Sequence, residues 1–351
     1  MQYTAPERFW RNKKMTTMLE VAKRAGVSKA TVSRVLSGNG YVSQETKDRV
    51  FQAIAESGYR PNLLARNLAT KRTQTLGLVV TNTLYHGVYF SELLFNAARM
   101  TEEKGRQLIL ADGKHSAEEE REAIQYLLDM RCDAIIIYPR FLSVEEMDEI
   151  IDRHEQPIVV LNRRLRRNAS HSVWSDHKAS SQAAVSRLIE MGHREIAFIT
   201  GSLDSPTGGE RLSGYRAALA QHNIPLRDEF VVEGRWTPAS GAAAVSTLLT
   251  RQVTFSALVA SNDDMAIGAI KQLHESNIAA PQAVSVIGFD DVAIAPFIVP
   301  SLSSVRIPVT EMIQETISRL IFMLDGGDFT FRQSFPGELI LRGSVVPGPY
   351  A

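Results

Sequence analysis

The sequence predicts a chain in two parts: an N-terminal all-α headpiece built on a helix-turn-helix, then an α/β core of two doubly wound parallel-sheet lobes. Three observations predict it. Residues Met18–Leu36, MLEVAKRAGVSKATVSRVL, pattern as helix, glycine turn, helix. From Thr75 onward, short β-rich apolar runs alternate with longer amphipathic ones, the pattern of parallel sheets with helices on both faces. Charge divides at the same place. Residues 1–75 hold 14 of the 39 Lys and Arg but 5 of the 39 Asp and Glu, so a basic head joins an acidic body in a chain that is neutral overall.

The first helix starts at Thr17 and Glu20, which have capping-box spacing. Val21, Ala22 and Ala25 form its apolar side, and Lys23 and Arg24 stay wet. Gly26 allows the turn. Ser28 caps the second helix, whose apolar positions Val32, Val35 and Leu36 recur at helical spacing. Its other face offers Lys29, Ala30, Thr31, Ser33 and Arg34. In a helix-turn-helix that face enters the major groove, where its N-terminal residues reach base edges. Arg34 can pair bidentately with guanine, and Ala30 can meet a thymine methyl. A plain surface pair of helices would share the period but would not explain the charge. Lys and Arg displace the counterions condensed on phosphates, and an acidic body discourages DNA contact elsewhere.

A third helix follows in SQETKDRVFQAIAESG, capped by Ser43, stopped by Gly58, with Val50, Ala53 and Ile54 inward. The next segment, YRPNLLARNLA, carries the helix starters Pro61 and Asn62, but about two turns are marginal alone in water. Leu63, Leu64 and Leu68 are too apolar for a simple linker. The segment is either a cap on the next domain or a hinge helix that orders on DNA.

In the body, strands are expected at Leu76–Val80, Gln107–Ala111, Ala134–Tyr138, Ile158–Leu161, Ile196–Thr200, Ala257–Ala260 and Val284–Phe289. Helices are expected at Tyr89–Glu103, Glu118–Met130, Lys178–Met191, Arg211–His222 and Asp263–Glu275. Ligands in such folds sit beyond the carboxyl ends of strands. That makes Asn82, Thr83, Asp112, Asn162, Asn262, Asp263, Asp290 and Asp291 site candidates.

Composition excludes several classes. No apolar run reaches the length of a membrane span, and MQYTAPERFWRNKK lacks the apolar core of a secretory signal. The single Cys132 can make no intrachain disulfide, which fits a reducing cytosol, so a cytoplasmic protein without a membrane partner is expected. No GxGxxG, P-loop, GxSxG, HExxH or CxxC spacing is present, so neither an enzyme nor a cofactor or metal is expected. His177 beside Asp176, and His193, read as surface or loop residues, and Asp290–Asp291 lacks partners for metal or acid–base work.

The segments EVAKRAGVSKATVSRVL, YRPNLLARNLA, LGLVV, GHREIAFITG, ERLSGYRAAL, VASNDDMAIGAI and VSVIGFDDVAIA occur in that order. With them the chain resembles the LacI/GalR family of bacterial transcription regulators over Thr16–Val346. The resemblance implies a homodimer whose subunits carry a helix-turn-helix headpiece at 15–60, a hinge helix and linker at 61–74, and a periplasmic-binding-protein-like core at 75–351. The core's N-lobe would span about 75–174 and 305–335, and its C-lobe about 175–304 and 336–351. Lys29, Ala30 and Arg34 match base-reading positions. Thr17, Ser28, Thr31, Ser33, Tyr41 and Tyr59 match positions that contact the DNA backbone. Leu68 matches the leucine that wedges into the minor groove and kinks the operator.

For the effector, Arg211, Asn262 and Asp290 match polar residues that hold sugar hydroxyls. The chemistry agrees: Arg offers a fork of donors, Asp accepts, and Asn does both. Trp236, in GRWTPASG, either stacks on a sugar's apolar face or lies in the core. Asn162 occupies a position where several relatives carry Asp. Tyr89, Phe90 and Tyr138 are weaker pocket candidates, which read as core before ligand contact. The implied function is a repressor whose affinity for double-stranded, near-palindromic operator DNA is set allosterically by a small sugar. Within the family, LVVTNTLYHG, LLFNAARM, LILADGKHSAEEER and RLIFMLDGGDF resemble a repressor of a β-glucoside operon, and that resemblance implies a β-glucoside inducer. The sign of control stays open between inducer, corepressor and activator. A sugar-binding protein without DNA function has no use for Met18–Leu36. Members of the family start near Met15, so residues 1–14 are expected to be an extra, disordered tail, a misassigned start or vector-derived sequence rather than a functional arm. The C-terminus carries no leucine heptad for a coiled-coil tetramer.

Overall fold

The computed structural model describes residues 16–38, 40–59, 73–81, 88–327 and 332–351. The tail at 1–14, Leu68 with nearly all of 61–74, and Asn82 and Thr83 lie outside the described residues. The chain divides into two compact units, Met1–Thr73 and Gln74–Ala351.

The first unit holds α1 (Met18–Ala25), α2 (Lys29–Ser37) and α3 (Gln44–Ser57). Their starts follow the local chemistry. Thr17 and Glu20 close a reciprocal capping box on α1. The Ser28 hydroxyl accepts from the Thr31 amide, and Ser43 accepts from the Thr46 amide. Gly26 ends α1 at φ 65, a left-handed conformation that a side chain would strain, and its N–H returns to the Ala22 and Lys23 carbonyls. Val21, Val32 and Val50 are fully buried, joined by Ala22, Ala25, Val35, Ala53 and Tyr59. So small a core makes each cap, at about 1 kcal/mol, a real share of the stability.

The second unit is built on two sheets. The first contains β1 (Thr75–Val80), β2 (Gln107–Asp112), β3 (Ala134–Tyr138), β4 (Ile158–Leu161) and β5 (Ser172–Val173). Their order is β2-β1-β3-β4-β5, all parallel. Between these strands run α4 (Val88–Glu103), α5 (Ala117–Asp129) and α6 (Val144–Arg153). Ile135, Ile136 and Ile137 are each 0% exposed, because helices cover both faces and no side of the strand is left for polar residues.

The second sheet contains β6 (Ile196–Thr200), β7 (Val231–Glu233), β8 (Ala257–Ala260), β9 (Ser285–Phe289), β10 (Ser303–Arg306) and β11 (Glu338–Ile340). Their order is β11-β10-β9-β8-β6-β7, with β11 antiparallel to β10. Its helices are α7 (His177–Glu190), α8 (Pro206–Gln221), α9 (Pro238–Thr250) and α10 (Asp263–Glu275). α9 and α10 approach closely where Gly268 meets the Pro238 carbonyl, and a Cβ there would overlap that oxygen.

The last helix, α11 (Val309–Leu324), lies in sequence between β10 and β11 of the second sheet but packs on α4, β3, β4 and β5 of the first. The chain therefore passes between lobes after β5, after β10 and again before β11. The Trp174 amide donates to the Gln333 carbonyl and the Phe335 amide to the Trp174 carbonyl, tying two of these crossings together. Val305 and Arg306 still belong to β10, so the second crossing falls beyond Arg306 rather than at 304/305.

Element boundaries differ most at α8. The sequence pattern places its start at Arg211, but the helix begins at Pro206 after the N-cap Ser205. Gly208 and Gly209 interrupt the apolar period there, while Pro206 is suited to the first helical turn.

Candidate functional site

Two surfaces carry functional chemistry. On the headpiece, Lys29, Ala30, Ser33 and Arg34 are all exposed on one side of α2, opposite buried Val32 and Val35. Thr17, Ser28 and Thr31 spend hydrogen bonds on caps: the Ser28 and Thr31 hydroxyls lie 2.9 Å apart. Tyr41 is 95% exposed, whereas Tyr59 is 8% exposed and packs into the headpiece core. The two tyrosines thus sit in opposite environments. The α2 face presents a guanidinium, an ammonium and a small apolar spot to solvent, groups of the kind that can pair with groove edges.

The second surface is a cleft in the core of about 810 Å³, open to solvent in part. From the first lobe come Tyr89 and Phe90 of α4, Tyr138 at the end of β3, and Arg140, Asn162 and Arg163 from the loops after β3 and β4. From the second come His177 opening α7, Thr207 and Arg211 of α8, Trp236, Asn262, Asp264 and Asp290. Each loop contributes where its strand ends, so the cleft lies at the carboxyl edges of both sheets.

A chain of hydrogen bonds runs across it. Asn162 Nδ2 donates to the Tyr138 hydroxyl at 2.7 Å. His177 Nε2 lies 2.8 Å from Asn162 Oδ1, and His177 Nδ1 lies 3.3 Å from an Arg211 Nη. Arg211 then donates to Asp290 Oδ1 at 3.0 Å and to the Ser261 carbonyl. Since Asn162 Oδ1 and the Arg211 guanidinium can play one role each, the imidazole is neutral, with its proton on Nε2. Arg211 also lies over the Phe289 ring, 4.4 Å from its centroid.

Burial sets the electrostatics. It lowers the His177 pKa well below the ordinary value, and Arg211 and Arg163 push it further down. It raises Asp290, with Arg211 opposing, and raises Asp264, to which Asp290 adds. Burial and the neighbouring phenol hold Tyr89 protonated, and burial does the same for Tyr138. The cleft therefore combines a neutral imidazole, phenols and amides with the Arg211–Asp290 ion pair, and Arg140, Arg163 and Asp264 add further charged groups to its lining, a mixture of donors and acceptors that suits hydroxyl-rich ligands.

The backbone is strained at the same place. Asn162, Trp236 and Asp290 have φ of 62, 63 and 98. Such conformations cost about 1–3 kcal/mol each, least for Asn, and concentrate at binding sites. Trp236 is seated by Gly201, whose hydrogen leaves room for the indole where a Cβ would overlap it.

The structure brings Arg211, Asn262, Asp290, Trp236 and Asn162 together on this one cleft. Asn262 has commitments of its own: Oδ1 caps α10 at Met265, and Nδ2 donates to the Trp236 carbonyl at 3.0 Å. Three other strand-end candidates do structural work. Asp112 accepts from the Lys114 amide, Asp263 from Val292 and Ser304, and Asp291 pairs with Arg342. Tyr89, Phe90 and Tyr138, the weaker pocket candidates, line the cleft, and Phe90 and Tyr138 belong to the buried core as well.

His177 requires the largest correction. It is no surface residue: it is 2% exposed and central to the hydrogen-bond chain. The signal was present, because His177, Ser180, Ser181, Ala184, Val185 and Leu188 share the buried face of α7 at helical spacing. His193 is also buried, held by Ser256 and the Val346 carbonyl. Among the described residues no cluster of three or more metal-ligating side chains occurs, and no helix is long and apolar enough to cross a membrane.

A basic helix-turn-helix joined to a two-lobed ligand-binding core defines a DNA-binding transcription regulator. Residues 17–62 match the model of bacterial regulatory proteins of the lacI family, and residues 185–345 match a periplasmic binding protein-like domain. The chain belongs to the LacI family of transcription regulators. It is 76% identical, over 95% of its length and 99% of the relative's, to the HTH-type transcriptional regulator AscG of Escherichia coli K12. The crystal structure of the E. coli repressor ascG superposes with a TM-score of 0.74 at 72% identity, over 78% of this chain and 99% of that one. A lac repressor dimer bound to operator and an anti-inducer gives 0.86 at 26% identity, over 95% and 100%. A regulator CelR in complex with cellobiose gives 0.68 at 31% identity, over 94% and 99%.

Proposed function

We propose that this regulator is a homodimeric repressor, acting in the cytoplasm, that a small β-glucoside releases from its operator. The observation that carries the reading is the cleft, where polar groups of both lobes converge beside a strained tryptophan. Arg211, Asp290, Asn262 and Asn162 hold sugar hydroxyls, and Trp236 stacks on the apolar face of the ring. The relative crystallised with cellobiose, a β-glucoside, supports this class of ligand. Lys29, Ala30 and Arg34 read bases, while Thr17, Ser28, Thr31, Ser33, Tyr41 and Tyr59 contact the DNA backbone. Leu68 enters the minor groove from a hinge at 61–74. The lac repressor relative, captured as a dimer on operator, supports that arrangement. Phe95 on α4 and Phe297 and Val299 after β9 are 65%, 77% and 92% exposed, apolar surface that a second copy can cover.

The mechanism is a two-state coupling. Sugar binding changes the angle between lobes, and the dimer's headpieces then no longer fit the two half-sites. An effector that weakens operator binding must itself bind the DNA-free form more tightly by the same factor. The test is operator selection from random duplexes, followed by gel shift with cellobiose, alkyl and aryl β-glucosides and their 6-phosphates. The expected result is a near-palindromic site released by one of these sugars. Binding without sequence preference, or a site that none of them releases, overturns the reading.

A further inference from the structure

His177 stands where the lobes join. The chain leaves the first sheet at Trp174, a residue tied to another crossing through Gln333 and Phe335, and α7 opens at His177 three residues later. Its two ring nitrogens face different lobes. Nε2 meets Asn162, from the loop after β4, and Nδ1 meets Arg211 of α8. Beyond each partner the chain continues, to Tyr138 on one side and Asp290 on the other. Another link across the cleft, Arg140 to Asp204, has its carboxylate 61% exposed, where water and salt screen it. Asn162 also reaches Thr207, at a longer 3.4 Å. The Asn162–His177 bond is the short, buried tie.

We propose that His177 is the positioning residue that transmits effector occupancy from Arg211 to the first lobe through Asn162. The inference rests on the cleft being the effector site. The joint needs one side chain that donates toward Asn162 and accepts from Arg211. A neutral imidazole does both, whereas an imidazolium has two donors and would set one against the guanidinium. The groups that act on it directly are Arg211 from the second lobe and Asn162 and Arg163 from the first, with Asp290 and Tyr138 one bond further along the chain and Asp176 at the cap of its own helix. An asparagine at 162 fits this requirement, because a carboxylate there would favour the charged ring.

A ligand that pulls on Arg211 therefore pulls on Nδ1, and the ring passes the displacement to Asn162. Because α7 begins at that ring, the same pull acts on the crossing at Trp174–Asp176. A hydrophobic replacement would leave the two lobes joined by the crossings and the mouth ion pair, but without the buried tie between pocket and hinge.

The experiment uses the full-length protein. Imidazole ¹⁵N NMR of the ligand-free wild type is expected to show His177 neutral, protonated on Nε2, from pH 7.5 down to about 5.5. In Asn162→Asp the same ring is expected to titrate within that range. Amide exchange at Tyr138, Arg140, Thr207 and Gly208 should rise about tenfold in His177→Leu. His177→Gln, which keeps a donor and an acceptor, should stay within about threefold of wild type. Where cellobiose releases wild-type protein from operator, His177→Leu should reduce that release to less than about twofold, and His177→Gln should retain it. A wild-type ring protonated on Nδ1, or exchange in His177→Leu equal to wild type, overturns the proposal. If cellobiose releases nothing, the same comparison is made with the alkyl or aryl β-glucoside or 6-phosphate that does; if none of them releases the wild type, the effector class fails, and the ligand-free NMR and exchange results still decide the role of His177. If His177→Leu does not fold, the tautomer and the Asn162→Asp titration decide it.

Discussion

The headpiece and the cleft differ in how their functional residues are brought together. In the headpiece, one nine-residue helix, Lys29–Ser37, carries all the proposed base-reading residues, and its cap and stop residues lie within a few positions of it. In the cleft, the lining residues run from Tyr89 to Val292 and come from both lobes. A local site needs one helix to form. A dispersed site needs two sheets in register, three crossings and a set of loops held in strained conformations. The difference teaches where each function is vulnerable: the DNA face to the loss of a cap or a charge, the cleft to any change in how its lobes meet.

The largest break in this comparison should come from Arg211→Ala. It leaves the Asp290 carboxyl buried without its partner, a loss of about 3–5 kcal/mol for a broken buried pair. Calorimetry should show the core transition shifted down and the headpiece transition unmoved, and effector response should vanish. A normal response to sugar in that variant would remove Arg211 from the site.

Acid should separate the two units next. His177 and His193 are buried with lowered pKa values, so each adds stability above the unfolded value near 6.5 that is lost as pH falls. Below that pH the unfolded chain takes up these two protons and the folded core resists them, while the raised pKa values of buried Asp263, Asp264 and Asp290 offset part of the loss. The core should lose up to about 1.4 kcal/mol per pH unit for each of the two. Residues 1–75 contain no histidine, so the headpiece should not follow. Parallel melts between pH 7 and 5.5 check this, and equal shifts in both units would contradict it.

Arg34→Ala should lower discrimination between operator and random DNA by roughly tenfold to a hundredfold, about 1–3 kcal/mol, without altering dimerisation or sugar binding. Competition gel shifts measure it, and intact discrimination would move base reading elsewhere. The smallest effect is Ser28→Ala. Loss of the α2 cap should cost the headpiece about 1 kcal/mol and leave the core melting temperature in place. A core that melts earlier would mean that the two units are not independent.

Much of this protein was legible in order of sequence. Thr17, Gly26, Ser28, Ser43 and Gly58 act within three or four residues of themselves, and the structure puts each at the helix end where it was expected. The strands at Ala134–Tyr138, Ile158–Leu161, Ile196–Thr200 and Ala257–Ala260 coincide with their apolar runs, because burial on both faces leaves an unbroken signal. Where small residues blur the period, as at Gly208–Gly209, the boundary moved by five residues.

The composition and spacing by themselves determined a basic helix-turn-helix, an α/β body and a short set of polar residues at strand ends, and the family resemblance implied the division of that body into two lobes. Tertiary structure decided which of those polar residues share a cleft. Asp112, Asp263 and Asp291 went to turns, a buried carboxylate network and an ion pair, whereas Asn162, Asn262 and Asp290 met Arg211 and Trp236. It also took His177 from an assumed surface into the tie between lobes. The reason is physical: a cap or a helical stripe is satisfied by neighbours in the chain, but a buried imidazole is satisfied by Asn162 and Arg211, 15 residues before it and 34 after. Such partners meet only when both sheets are folded.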